Sequence, residues 1–164
     1  MMRRFLFWLS ARLPLRIIDD NGQPYLERYY IASLLGVRVY LHRFVASDPD
    51  RGLHDHPWAW AVSLILAGWY IEETRSGGFA RNRINFLVGD NFHRVVLPID
   101  GQDVWTIFIH RQGRAKAWGF IREFPNQHTL LWHEYAYTNG TQGEEKQWWV
   151  TYPKGRDEPR RLPA

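Results

Sequence analysis

Between Tyr25 and His110 the chain is cut into short runs of β-branched and aromatic residues, each ended by Gly, Asn or Asp, and this rhythm constrains the fold most. After the turn signal Asp19-Asp20-Asn21-Gly22, Tyr25 to Ile31 and Val37 to Val45 read as a pair of strands. Ala61 to Glu73 reads as one long strand, Ser76-Gly77-Gly78 as a turn, and Ile84 to Val88 as a strand. Gly89-Asp90-Asn91 then turns into Phe92 to Leu97, and Asp100-Gly101 separates that from Val104 to His110. Such spacing predicts an all-β sandwich or barrel rather than alternating β and α units. With 164 residues and no repeat or long linker, one domain over 1–164 is expected, its barrel at about 25–138. A short N-terminal helix is expected within residues 1–13, where Phe5, Trp8, Leu9 and Arg12 share a side and Pro14 closes the run. Residues 139–147 read as an exposed loop, and 153–164, with three prolines and mixed charge, as a flexible tail.

Composition closes off several function classes. With no cysteine there are no disulfides and no thiolate metal sites, so a metal must take imidazole, carboxylate or water. That suits a cytoplasmic protein. The apolar run Phe5 to Leu9 is shorter than the roughly 7–15 residues of a secretory core. Nothing approaches the roughly 20 residues of a membrane span, so no membrane partner is expected. The net charge of +4 sits largely at the ends, in Arg3, Arg4, Arg12 and Arg16 and in Lys154, Arg156, Arg160 and Arg161. Without an accompanying motif these read as solvated termini, and no nucleic acid partner is expected. P-loop, Rossmann and Gly-x-Ser-x-Gly patterns are absent.

The chemistry-bearing constellation is His54-Asp55-His56. On an extended segment, histidines two apart share one face, roughly 6.5–7 Å apart along the backbone, and can converge on one ion. His93, entering a strand after Gly89-Asp90-Asn91, is the best third ligand. One divalent metal ion is therefore expected on His54, His56 and His93. In the run 37–45, Arg38, Tyr40 and His42 alternate with apolar residues, and they are candidates for a substrate pocket together with Trp60 and Ser63. Trp58, Trp60, Trp69, Trp105 and Trp118 otherwise read as core and barrel wall. His110, His128 and His133 read as surface or structural. Glu72 and Glu73 stand four and five residues after Gly68, too late to serve as ligands, and strand parity turns one of them outward.

These residues carry a resemblance. Over about 37–110 the chain resembles the cupin superfamily, whose first motif is His-x-His, a glutamate and then a glycine. Here His54, His56 and Gly68 stand in register, and Ala61 stands where the glutamate would be. The second motif is met by Gly89 and His93, with Val88 and Leu97 in place of the usual proline and asparagine. The stretch also resembles small cupins of bacterial and phage genomes. The resemblance implies a jelly-roll barrel, and a three-histidine site without carboxylate is similar to that of the thiol dioxygenases. Those enzymes use Fe(II) and leave positions open for substrate and O2. Fe(II) is therefore the favoured ion, with Zn, Ni, Mn or Cu also open. Three neutral ligands leave the ion its full charge, which favours a small anionic substrate. The expected function is an Fe(II)-dependent dioxygenase; a non-oxidative isomerase or lyase and a non-catalytic ligand-binding cupin are the alternatives. The family resemblance also suggests a homodimer.

Overall fold

The computed structural model describes residues 1–99, 101–113, 116–124, 129–135 and 147–163. His128 and most of the loop read at 139–147 lie outside these. The chain is a jelly roll of two antiparallel sheets, with one short α-helix among the described residues.

After α1 (Met2–Ser10), β1 (Leu15–Asp20) and β2 (Gln23–Leu34) form a hairpin closed at Asn21 and Gly22, and β3 (Val37–Phe44) follows. Then come β4 (Leu53–His54), β5 (Trp60–Ala67), β6 (Tyr70–Thr74), β7 (Gly77–Arg81), β8 (Ile84–Val88) and β9 (His93–Val96). The last strands are β10 (Val104–Arg111), β11 (Gly119–Phe124) and β12 (Thr129–Glu134). One sheet runs β1-β2-β3-β10-β5-β8 and the other β12-β11-β4-β9-β6-β7. The long strand expected over Ala61 to Glu73 is two strands in different sheets. Gly68, at φ +83°, takes a backbone conformation that side chains disfavour, and there the chain crosses over. Gly77 and Gly78, expected as a turn, open β7 instead.

Strand parity sends alternate residues to opposite faces. On the outer face of the first sheet, Leu15, Tyr29, Leu41 and Trp105 bury against Leu6 of α1. The same face carries a buried ion cluster. Arg43 bonds Asp103 (Nε to Oδ2, 2.6 Å) and Glu27 (3.2 Å), and its Nη1 also donates to the carbonyl of Arg161 (2.7 Å). Arg160 donates to Ser10 Oγ (2.7 Å) and to Tyr29 Oη (3.1 Å), and Arg3 lies 3.5 Å from Asp103. Residues 153–163, read as a flexible tail, thus run back across this face. Several of the arginines read as solvated termini instead hold the two ends of the chain on the sheet.

On the inner face of the same sheet, Tyr40, Ala61, Leu87, Phe108 and Trp148 cluster at one end. His110 is buried beside them, its ring centroid 5.7 Å from that of Tyr40 and 5.2 Å from that of Trp58. Burial lowers its pKa to about 4; the nearby Arg28 and Arg38 act in the same direction, and only a hydrogen bond to the Arg111 carbonyl opposes them. A folded pKa below the unfolded value of about 6.5 means that stability from this group is complete above pH 6.5 and is lost as pH falls toward 4. The full loss is about 3 kcal/mol. Urea unfolding at pH 7 and pH 4.5 is expected to show a smaller acid loss in His110→Gln than in the parent. Equal losses would disprove this account.

Candidate metal centre

The three histidines meet because of how β4 lies in its sheet. His54 is paired on one side with Phe120 of β11 and on the other with His93 of β9, so the His54 and His93 side chains are direct cross-strand neighbours. Asp55 turns the opposite way and is buried. It accepts from the Gly119 amide (2.7 Å) and pairs with Lys116, which anchors the segment between the two ligands. His56 follows, its amide bonded to the Gly89 carbonyl (3.2 Å). Gly89 is required here because a Cβ would stand 2.2 Å from the Trp58 carbonyl oxygen.

One nitrogen from each of His54, His56 and His93 lies within 4.8 Å of the others. The closest pair is His56 Nε2 and His93 Nε2, at 2.7 Å. Two nitrogens about 2.1 Å from one ion at 90–109° stand roughly 3.0–3.4 Å apart, so an opening of a few tenths of an ångström would admit the ion. Burial is the main cause holding His54 and His56 well below the ordinary imidazole range. The neighbouring histidines add to it, as do Arg51 at His54 and Arg28 at His56. Both rings are thus neutral at neutral pH, with lone pairs for a metal. The donor set fits a borderline transition ion such as iron or zinc.

A carboxylate does serve the site, but at one remove. Glu72, on β6, sits 2.9 Å from His93 Nδ1 and also accepts from Asn85 (2.8 Å) and Arg81 (2.6 Å). Burial pushes this carboxyl up, yet the bonds from His93, Asn85 and Arg81 outweigh it and draw the pKa to about 2. An ionised Glu72 keeps the proton on His93 Nδ1 and turns the Nε2 lone pair toward the other two rings. Sequence spacing from Gly68 hid this role. The signal is cross-strand: Glu72 pairs with Val95, two residues along the same face from His93. Glu73, of opposite parity, bonds Arg94 instead. The Ala61 position, where the motif would place a carboxylate, is fully buried in the aromatic cluster. Glu72→Gln is expected to weaken metal binding about 10–100-fold while the fold holds, as measured by titration with Zn2+. Unchanged affinity would remove Glu72 from the centre.

A cavity of about 360 Å³ between the sheets adjoins the trio, walled by Phe44, Trp58, Phe108 and Phe120. That volume suits a small molecule. Of the pocket candidates, His42 and Ser63 line it, and Arg38, Tyr40 and Trp60 do not. Tyr40 is buried in the cluster beyond His42, and Arg38 lies over the Trp149 ring at 4.7 Å. Trp60 and Ser63 are three apart on one strand, so parity sends them to opposite faces. The cavity's cationic residues are instead Arg16, Arg28 and Arg51.

No family model matches the chain, and no curated protein does. Solved structures do. A sugar phosphate isomerase of the cupin superfamily from Silicibacter pomeroyi aligns over 67% of this chain and 76% of its own, with TM-score 0.50 and 11% identity. A cupin-2 domain from Rhodospirillum rubrum covers 63% and 72%, with TM-score 0.51 and 14% identity. A predicted oxalate decarboxylase from Thermotoga maritima covers 63% and 96%, also with TM-score 0.51 and 14% identity. Among the described residues, no helix is long and apolar enough to cross a membrane.

Proposed function

We propose that this cupin-fold chain binds one divalent transition-metal ion through His54, His56 and His93 and acts on a small anionic molecule in the adjoining cavity. Fe(II) is the favoured ion and a dioxygenase reaction the favoured chemistry. The observation that carries the reading is the convergence of three imidazole nitrogens, one of them aimed by a buried carboxylate. When bound, such an ion supplies a Lewis-acidic 2+ charge, and iron adds reactivity toward O2. The chain's own residues do the rest. Glu72 holds the Nδ1 proton of His93, the aromatic walls keep bulk water from the reacting end, and the arginines draw in an anion.

Metal analysis of untagged protein, followed by O2-uptake assays with thiol and diketone acids, tests this. About one iron per chain with substrate-dependent O2 uptake is expected. A zinc-loaded centre without uptake would move the assignment to a non-oxidative isomerase or lyase. Protein that neither contains nor binds a metal would overturn the reading and leave a ligand-binding module.

A further inference from the structure

Two guanidinium groups face each other across the β1–β2 hairpin, because Arg16 and Arg28 are direct cross-strand partners and both line the cavity. Like charges directly opposed on a sheet repel, so the pairing is unfavourable in itself. Arg16 is half-buried and makes no hydrogen bond or ion pair with the described residues. Arg28 is oriented from the far side, since its Nε donates to Nε2 of His42 (3.1 Å), its partner on β3. Burial, first of all, keeps His42 well below the ordinary imidazole range, so its ring can accept that bond. Arg16, Arg28 and His42 thus form one row across the inner face of three adjacent strands.

A third guanidinium lines the cavity. Arg51 lies near Asp20 (3.5 Å) and Tyr25 Oη (3.4 Å), and its buried Nε has no partner among the described residues. Against these three cations the described lining offers one carboxylate, Asp48, which accepts from the Val95 amide (2.7 Å). The surplus of positive charge stands in a low-dielectric, aromatic-walled space, where it acts more strongly than on a surface. Guanidinium forks match the paired oxygens of a carboxylate or phosphate. The cavity, at about 360 Å³, has room for such a group on a small apolar body.

We propose that the opposed pair Arg16 and Arg28 is an anion clamp that receives the carboxylate or phosphate of an organic acid and presents the acid's apolar body to the aromatic walls. This deepens the reading of the cavity as a substrate site, but it does not depend on the metal. The charge is recognised on one sheet, by the hairpin; His54 and His93 lie on the other, and His56 in the segment that follows β4.

Intrinsic tryptophan fluorescence reports binding, because Trp58 and Trp118 line the cavity. The full chain, with EDTA and separately with Zn2+, is titrated with phenylacetate, phenyl phosphate and the uncharged phenylacetamide. At least one anion is expected to bind about tenfold or more tightly than the amide, with or without metal. Arg16→Gln is expected to weaken that anion about 10–100-fold while leaving the amide and Zn2+ affinity unchanged, and Arg16→Lys to fall between. Preference for phenylacetate assigns a carboxylate, and preference for phenyl phosphate a phosphate. Anion binding that needs Zn2+ and ignores Arg16→Gln would overturn the clamp and place the anion on the metal. Absence of anion binding up to about 10 mM would overturn it as well. Failure of the metal centre shows instead as missing Zn2+ binding, which none of the EDTA titrations reads.

Discussion

His56→Ala is expected to abolish stoichiometric metal binding and, with it, metal-dependent stabilisation. In the parent, metal at 100 times its dissociation constant adds about 2.7 kcal/mol by mass action. That is a rise of roughly 5–10 °C in the thermal midpoint for a chain of this size. His56 is the informative ligand to remove because its half-buried ring stacks on Trp58 at the cavity wall, 4.0 Å between centroids, and bears no structural carboxylate bond. The variant should keep a metal-free midpoint close to the parent's in EDTA and show no rise when Zn2+ or Fe2+ is added. Its loss of affinity should exceed the 10–100-fold typical of an outer hydrogen-bond partner such as Glu72. An undiminished metal-induced shift would show that the three nitrogens do not act together.

Arg43→Met is expected to cost about 3–5 kcal/mol of folding stability. The reason is what remains behind. Glu27 and Asp103 are almost wholly buried, and without Arg43 both carboxylates lose their main counter-charge in a space water does not reach. Methionine keeps the packing of the arginine stem, so the loss is chiefly electrostatic, with a smaller part from the space the guanidinium leaves. The measurement is urea unfolding at pH 7. Adding Glu27→Gln and Asp103→Asn to Arg43→Met should recover part of the loss, since neutral groups are cheaper to bury. A single variant within 1 kcal/mol of the parent would mean that the cluster contributes little, as exposed ion pairs do.

What could be read from sequence follows from how local each signal is. His54 and His56 were legible because a two-residue spacing fixes a shared face, and His93 because its turn delivers it beside them. Glu72 escaped because its meaning lies across a strand pair, which sequence distance does not express. Arg16 escaped for a related reason: it sits near an end of the chain, where charge reads as solvated, and only the hairpin register sets it opposite Arg28. The run 61–73 looked like one strand because hydrophobic patterning is blind to which sheet a strand joins, and the single backbone reversal at Gly68 decides that. Trp60 and Ser63 could not share a pocket on one strand, a conflict that parity alone exposes.

The closure of the outer face has a consequence for how the protein is made. Arg43 and the Arg161 carbonyl that accepts its hydrogen bond are 118 positions apart in the chain. Arg160 and Tyr152 likewise reach back, the one to Ser10 and Tyr29, the other to the cavity. A growing polypeptide therefore holds an arginine with incomplete partners, and a ligand cavity with a missing wall, until the segment from Tyr152 to Arg161 emerges. Premature stop codons between His93 and Arg160 should yield chains that quality-control proteases clear, even though every histidine of the centre has already been translated.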